Sequence, residues 1–315
     1  MWILENTVRK PKVNKEIFRG IKADGVALFK YGIFRKRIDN RKDKKKKDYL
    51  AIACIIKNEG RYIKEFIEFH FLAGVERIYV FDNGSEDGTR DVLAPYIEDG
   101  RVVYFYFPGE KMQFVAYRYA VRYCRKYTRW LALLDADEFL FSPLGDLKDI
   151  LRNYENEVAV GVNWVSYGPS GHEKRPEGLV IENYYQTFAD KDHLFNRHIK
   201  SIVDPKKVKS IRSPHFCRYI GDKLAVDENY KPIDGKVRNA PYKSRGFTDR
   251  NSVEKLRINH YITKSLEDLR EKGKRGYPDG MPSNVYEESV QRFDVPLVED
   301  KSIVRFIAPL KEKIK

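Results

Sequence analysis

The sequence predicts an α/β fold, a mostly parallel twisted sheet with helices on both faces. Three observations predict it. Apolar runs of strand length are continuous rather than alternating, as in strands buried on both faces. Segments with apolar residues at helical spacing separate those runs. Each run stops at a cluster of polar residues, Gly or Pro that turns the chain.

The first run is Leu50-Ala51-Ile52-Ala53-Cys54-Ile55-Ile56, closed by Lys57-Asn58-Glu59-Gly60. Ile63, Phe66, Ile67 and Phe71 then recur with a helical period, and Gly74 ends that helix. Arg77 to Phe81 is a second strand, stopped by Asp82-Asn83-Gly84-Ser85-Glu86-Asp87-Gly88. A short helix follows, with Val92, Leu93 and Tyr96 inward, before a third strand over Arg101 to Phe107 that Pro108-Gly109 turns. Met112, Val115, Ala116, Tyr119, Ala120 and Tyr123 form one face of the next helix. Trp130 to Leu134 is the fourth strand and ends at Asp135-Ala136-Asp137-Glu138. This β-α-β-α order implies a Rossmann-like, doubly wound sheet with right-handed crossovers.

After Ser142 the pattern loosens. Val158 to Val165 reads as another strand, a polar and aromatic stretch runs through Arg245, and Ser265 to Lys272 reads as a modest helix. The C-terminal residues read as loop-rich. The expected division is a basic extension over residues 1–48, a core domain over 49–276, and a tail over 277–315 packing on or beside it. Within the extension one short helical stretch is expected around Ile17 to Phe34.

With 315 residues the chain is long enough for one large α/β domain. Hydrophobic residues at 42% and charged residues at 34% exclude a disordered tail and a membrane bundle. No run approaches the roughly 20 apolar residues of a membrane span. Met1 to Lys47 is mostly charged and polar, with no apolar secretory core, so the chain is expected to be cytoplasmic, or peripheral at the inner membrane face. Three cysteines, Cys54, Cys124 and Cys217, cannot all pair and read as buried thiols.

The net charge of +14 suits nucleic acid, an anionic membrane face or phosphate-bearing substrates. Part of it is local: Arg41 to Lys47 is nearly all basic and reads as a solvated linker or as a membrane-surface patch. The aromatic residues form no single-strand-binding motif with the basic ones, so no nucleic-acid partner is expected.

Ligands of an open parallel sheet bind beyond the carboxyl ends of its strands. Three of those ends are polar here: Lys57-Asn58-Glu59, Asp82-Asn83-Gly84-Ser85 and Asp135-Ala136-Asp137-Glu138. Asp135 and Asp137, one residue apart, would project to the same side of an extended backbone. Two hard carboxylates side by side suit Mn²⁺ or Mg²⁺, with diphosphate oxygens and waters completing the shell. The bland reading is an ordinary acidic turn.

The blocks KNEGRYIKEFIEFHFLAGVERIYVFDNGSEDGT and AYRYAVRYCRKYTRWLALLDADEFLF resemble glycosyltransferases of family 92 and their bacterial family 2-like relatives, which have the GT-A fold. Trp164 to His172 and Asn259 to Ser265 resemble the same family, so the likeness runs from about Tyr49 to Gly276. The resemblance implies that Asp135 and Asp137 bind the metal and that Asp82, Asn83 and Ser85 face the nucleotide. Lys57, Asn58 and Glu59 would lie under base and ribose. His260 would complete the metal site, its alternative being a packed polar residue. Lys264, Lys272 and Arg275, just beyond it, would meet the leaving diphosphate or stay as surface cations. The implied donor is a nucleotide-diphosphate sugar, commonly UDP-galactose. The implied acceptor is a saccharide or lipid-linked glycan.

Inversion needs a base for the acceptor hydroxyl. Glu173 and His172, in the loop Gly168 to Glu177, are the candidates; His172 and Arg175 could instead only shape that loop. A nucleotidyltransferase is a second reading, though neither G-x-x-x-x-G-K nor G-x-G-x-x-G is present. A basic nucleic-acid-binding module and a non-catalytic carbohydrate-binding relative are the others.

Overall fold

A computed structural model describes residues 37–38, 47–234, 246–275 and 290–315. The helical stretch expected around Ile17 to Phe34, and the basic run up to residue 46, lie outside the described residues. The strands in chain order begin with β1 (Arg37–Ile38), β2 (Asp48–Ile56), β3 (Arg77–Asp82), β4 (Val102–Tyr106) and β5 (Thr128–Leu133). Helices α1 (Ile63–Leu72), α2 (Thr89–Glu98) and α3 (Gln113–Cys124) connect the last four of these. Strands β2, β3, β4 and β5 are parallel to one another, in the order β4-β3-β2-β5. The expected α/β sheet is therefore present, and its four core strands are the four read from the sequence.

The continuous apolar runs are explained by two hydrophobic layers. From β2, Leu50, Ile52, Cys54 and Ile56 enter the cluster that holds Phe66 and Phe69 of α1 and Leu93 of α2. Ala51, Ala53 and Ile55 point the other way, toward Val115, Ala116 and Ala120 of α3. Each fully buried Leu, Ile, Val or Phe side chain among them contributes about 1.5–3 kcal/mol. Gly74, at φ +105°, closes α1 where an added Cβ would stand 2.6 Å from Asp146 Oδ1, so no other residue fits without a shift.

Beyond β5 the chain departs from its even rhythm. β6 (Glu138–Phe141) follows the acidic turn, and β7 (Ala159–Ser166) comes after the short helix α4 (Leu147–Leu151). The stretch that reads as polar and aromatic holds α5 (Val180–Asn183), β8 (Gln186–Phe188), β9 (Ile199–Val203), the antiparallel hairpin β10 (Val208–Ser213) and β11 (Phe216–Tyr219), then β12 (Ala225–Val226) and β13 (Pro232–Ile233). β9 enters the sheet antiparallel, between β5 and β7. β14 (Arg257–His260) lies parallel to β7 and antiparallel to β6.

Helix α6 (Leu266–Arg275) starts with a reciprocal cap, in which Ser265 Oγ and Asp268 exchange hydrogen bonds. Two features lie in the segments read as extension and tail. Arg37–Ile38, inside the expected extension, pairs as an edge strand with β4. The described part of the tail, residues 290–315, holds regular elements: β15 (Leu297–Glu299) pairs with β8, and α7 (Ile307–Ile314) follows Phe306, whose ring meets Phe69 at 4.7 Å. Arg257 of β14 holds the tail further through Asp300 at 2.6 Å. Among the described residues no helix is long and apolar enough to cross a membrane.

Candidate active site

The first two polar strand ends are laced to each other. Asn58, at φ 53°, gives its N–H to Ser85 Oγ at 2.9 Å and accepts the Glu86 N–H at 2.9 Å. Glu59 N–H donates to Thr89 Oγ1 at 2.9 Å, and Gly60 N–H to Asp87 at 3.0 Å. Asp82 is buried and spends both oxygens inside the loop, on Ser85 N–H at 2.7 Å and Tyr104 O–H at 2.6 Å. Asp82 and Ser85 thus build the loop, whereas Asn83 Oδ1 is buried without a hydrogen-bond partner among the described residues.

The third strand end differs from expectation. Residues 136–137 form a turn rather than extended backbone, closed by Glu138 N–H on Asp135 O at 3.2 Å. The two carboxylates take different partners. Asp135 Oδ2 meets Lys200 Nζ at 2.5 Å, and its Oδ1 accepts from Gln113 at 3.0 Å and Tyr117 at 2.9 Å. Lys200 comes from β9, is fully buried, and stands 3.3 Å from buried Glu138. Burial pushes the Glu138 carboxyl well up, against the opposing pull of Lys200. Burial also opposes charge on Asp135 and Lys200, but each outweighs that for the other, lowering the acid and raising the amine. The pair Lys200–Asp135 is ionic.

Asp137 points to a second cation. Its Oδ2 lies 2.6 Å from Lys272 Nζ of α6, and its Oδ1 3.5 Å from His260 Nε2. Strand register explains the meeting. β6 begins directly after the turn and pairs with β14 so that Glu138 faces His260, while Tyr261 N–H donates to Asp137 O at 2.9 Å. Burial disfavours ionised Asp137, yet Lys272 and then His260 hold the carboxyl well below its usual range. His260 is depressed by its own burial and is neutral, with Nδ1 buried and unpartnered among the described residues.

A cleft of about 320 Å³ opens beside this turn, lined by Asn58, Glu59, Tyr62, Arg175, Lys264 and Lys272 among others. Lys264 is buried, adopts φ 51°, and sets its ammonium 4.8 Å from the Tyr62 ring centroid. A residue other than Gly in that left-handed region is uncommon and marks a constrained site. Asp268 takes Tyr62 O–H at 2.7 Å and Arg175 at 2.6 Å.

The expected site residues divide accordingly. Asn58, Glu59, Lys264 and Lys272 line the cleft; Asp137 and His260 come together behind Lys272. Lys57 is half-buried and outside that lining, and Arg275 is the last residue of α6. His172 and Glu173 do not line the cleft either. Their carbonyls accept the Leu266 and Glu267 N–H groups at 3.1 and 3.0 Å, which caps α6, while the Glu173 side chain is exposed. Sequence reasoning missed Lys200, Gln113 and Tyr117 around Asp135, and Tyr62 and Asp268 in the cleft. The one available signal was Lys200 itself, a lysine inside the apolar segment Ile199-Lys200-Ser201-Ile202-Val203, which demands a buried acid.

A metal implied by the family resemblance would find two donors in the protein. Among the described residues no three of His, Cys, Asp or Glu are grouped to hold an ion by themselves. Asp137 and His260 fit, because 3.5 Å is too long for a good hydrogen bond and a cation between them would satisfy both. Lys272 supplies the positive charge there in this structure.

The family model described as glycosyltransferase family 92 matches residues 53–272. A glycosyltransferase family 92 protein of Oryza sativa subsp. japonica is 31% identical over 172 residues, which cover 53% of this chain and 28% of that protein. One from Ricinus communis is 30% identical over 167 residues, covering 51% and 29%. The chain thus spans under a third of the length of the curated relatives it matches. Among solved structures, S. aureus TarS 1-349 in complex with UDP aligns at 11% identity and a TM-score of 0.38, covering 78% of this chain and 70% of that one. The mannosyltransferase PcManGT from Pyrobaculum calidifontis, in complex with GDP-Man and Mn²⁺, aligns at 19% identity and a TM-score of 0.30, covering 48% and 47%.

Proposed function

The chain belongs to glycosyltransferase family 92, and from that premise we propose that it moves a hexose, of galactose type, from a UDP-sugar to a saccharide or lipid-linked glycan acceptor, with inversion, during surface polysaccharide or lipopolysaccharide synthesis. The observation that carries the site assignment is Asp137 facing His260 at 3.5 Å, directly behind the cleft cation Lys272.

The chain's own groups supply the rest of the reading. The laced loops at Asn58–Gly60 and Ser85–Thr89 form a rigid floor for base and ribose, with the Asn83 amide oxygen left to accept a hydrogen bond. Lys264 and Lys272 offer ammonium groups to the leaving diphosphate, whose growing negative charge is the largest electrostatic demand of the reaction. Asp137 and His260 would hold a Mn²⁺ or Mg²⁺ ion, which supplies further charge neutralisation at that diphosphate. Asp135 is assigned a shaping role, fixing the turn through Lys200. The acceptor proton needs a base. The exposed carboxylate of Glu173 is proposed for it, with His172 second.

Asp137→Ala is expected to abolish Mn²⁺-dependent UDP-sugar hydrolysis while leaving the circular dichroism spectrum intact. Unchanged turnover in that variant would refute the assignment.

A further inference from the structure

The hairpin β10–β11 and the neighbouring helix α3 carry a surface that the transfer site does not use. Its inner side is ordinary core: Val208, Ile211, Cys217 and Tyr219 share a cluster with Val115, Ala116 and Ala120 of α3. Its outer side is basic and exposed, with Lys206, Lys209, Arg212 and Arg218. The β10 register is irregular between Val208 and Ser210 and between Ile211 and Ser213. Each irregularity adds one residue to the strand, Lys209 and Arg212, and turns it outward.

The basic character extends past the hairpin. Arg212 lies close enough to Arg118 of α3 to depress its guanidinium, after the larger effect of burial. Lys206 stands beside Lys47, the last residue of the basic run, and the contact lowers the Lys47 ammonium. The acids nearby are Asp222, exposed and 3.8 Å from Lys209, and Asp204 and Glu155, both paired with Arg129 at 3.3 and 2.8 Å.

Two large aliphatic side chains stand exposed in the same place. Ile220 is 51% exposed and Leu224 41%, on either side of exposed Lys223. Ile220 N–H donates to Lys207 O at 2.9 Å, which fixes this turn against the lysine segment. Cations ringing exposed aliphatic groups match the interfacial layer of a bilayer, where phosphates meet acyl chains. Nucleic acid would use the cations and leave Ile220 and Leu224 without a role.

We propose that the β10–β11 hairpin and the Ile220–Leu224 turn dock this protein on an anionic lipid surface. Co-sedimentation of the full chain with vesicles of phosphatidylcholine and phosphatidylglycerol, against pure phosphatidylcholine, tests it. Binding is expected only to the mixed vesicles, and to fall with salt. The double variant Lys209→Gln/Arg218→Gln is expected to lose roughly thirtyfold in affinity, about 1 kcal/mol for each cation. Ile220→Ser/Leu224→Ser is expected to lose roughly tenfold. Lys301→Gln/Lys313→Gln removes the same charge elsewhere and is expected to stay within about twofold. All three variants keep donor hydrolysis in solution, so a failed docking surface is separable from a failed transferase assignment. Equal binding to pure phosphatidylcholine, undiminished binding by the hairpin variants, an equal loss in the control, or displacement of the vesicles by RNA at physiological salt overturns the proposal.

Discussion

Replacing Lys200 by methionine isolates the interaction on which the acidic turn depends. Methionine keeps the length and apolar stem of lysine and removes the charge. The ammonium is fully buried, 2.5 Å from Asp135 and 3.3 Å from Glu138. Burial raises the Glu138 carboxyl well above its usual range, so the loss strands chiefly the Asp135 carboxylate, with 30% of its side chain exposed. Removing one partner of a buried ion pair costs about 3–5 kcal/mol, and partial exposure of Asp135 places this case near the lower figure. For a domain of this size that lowers the melting temperature by roughly 6 °C. Adding Asp135→Asn to Lys200→Met removes the stranded charge and is expected to recover more than half of the loss. Equilibrium urea unfolding and calorimetric melting read both variants. A Lys200→Met loss below about 1 kcal/mol, the worth of a surface pair, would refute the reasoning. So would a double variant no more stable than the single one.

Two other perturbations probe separate parts of the molecule. Lys272→Met removes the cleft-side partner of Asp137, a lysine whose side chain is 20% exposed; its stability cost is expected to be smaller than that of Lys200→Met, while the donor KM rises about tenfold to a hundredfold for the lost charge-assisted contact. An unchanged KM in steady-state kinetics would remove Lys272 from the diphosphate site. Glu65 is buried beneath α5, where it accepts the Val180 and Ile181 N–H groups, and burial pushes its carboxyl up to about 7. A folded value above the unfolded one means that this stability is full below about 4.5 and is lost as the pH rises through about 7. Glu65→Gln is expected to flatten urea-unfolding stability across that window, and an unaltered slope contradicts the assignment.

The parallel half of the fold was legible because strands buried on both faces leave an unbroken apolar signature, as Leu50–Ile56 does. The second half was not. β8, β12, β13 and β15 are two or three residues long, and their pairing is set by partners distant in sequence, such as Glu299 with Gln186. The acidic turn was located correctly, but its geometry could not be read from spacing. Asp135 and Asp137 share a face only if the backbone is extended, and the hydrogen bond from Glu138 N–H to Asp135 O bends it. Lys200 then draws Asp135 inward across 65 residues of chain. The loop at His172 and Glu173 reads in the sequence as the place for an acceptor-side base, and the contact the structure shows there caps helix α6 through carbonyls that any residue carries. Side-chain identity holds no information about such a contact.

Diffraction from crystals grown with UDP and Mn²⁺, recorded at the manganese absorption edge, tests the site most directly. An anomalous peak between the Asp137 carboxylate and His260 Nε2, with the Lys272 ammonium moved onto the diphosphate, is the predicted result. UDP bound in the cleft with Lys272 still on Asp137, and no manganese between Asp137 and His260, would contradict it.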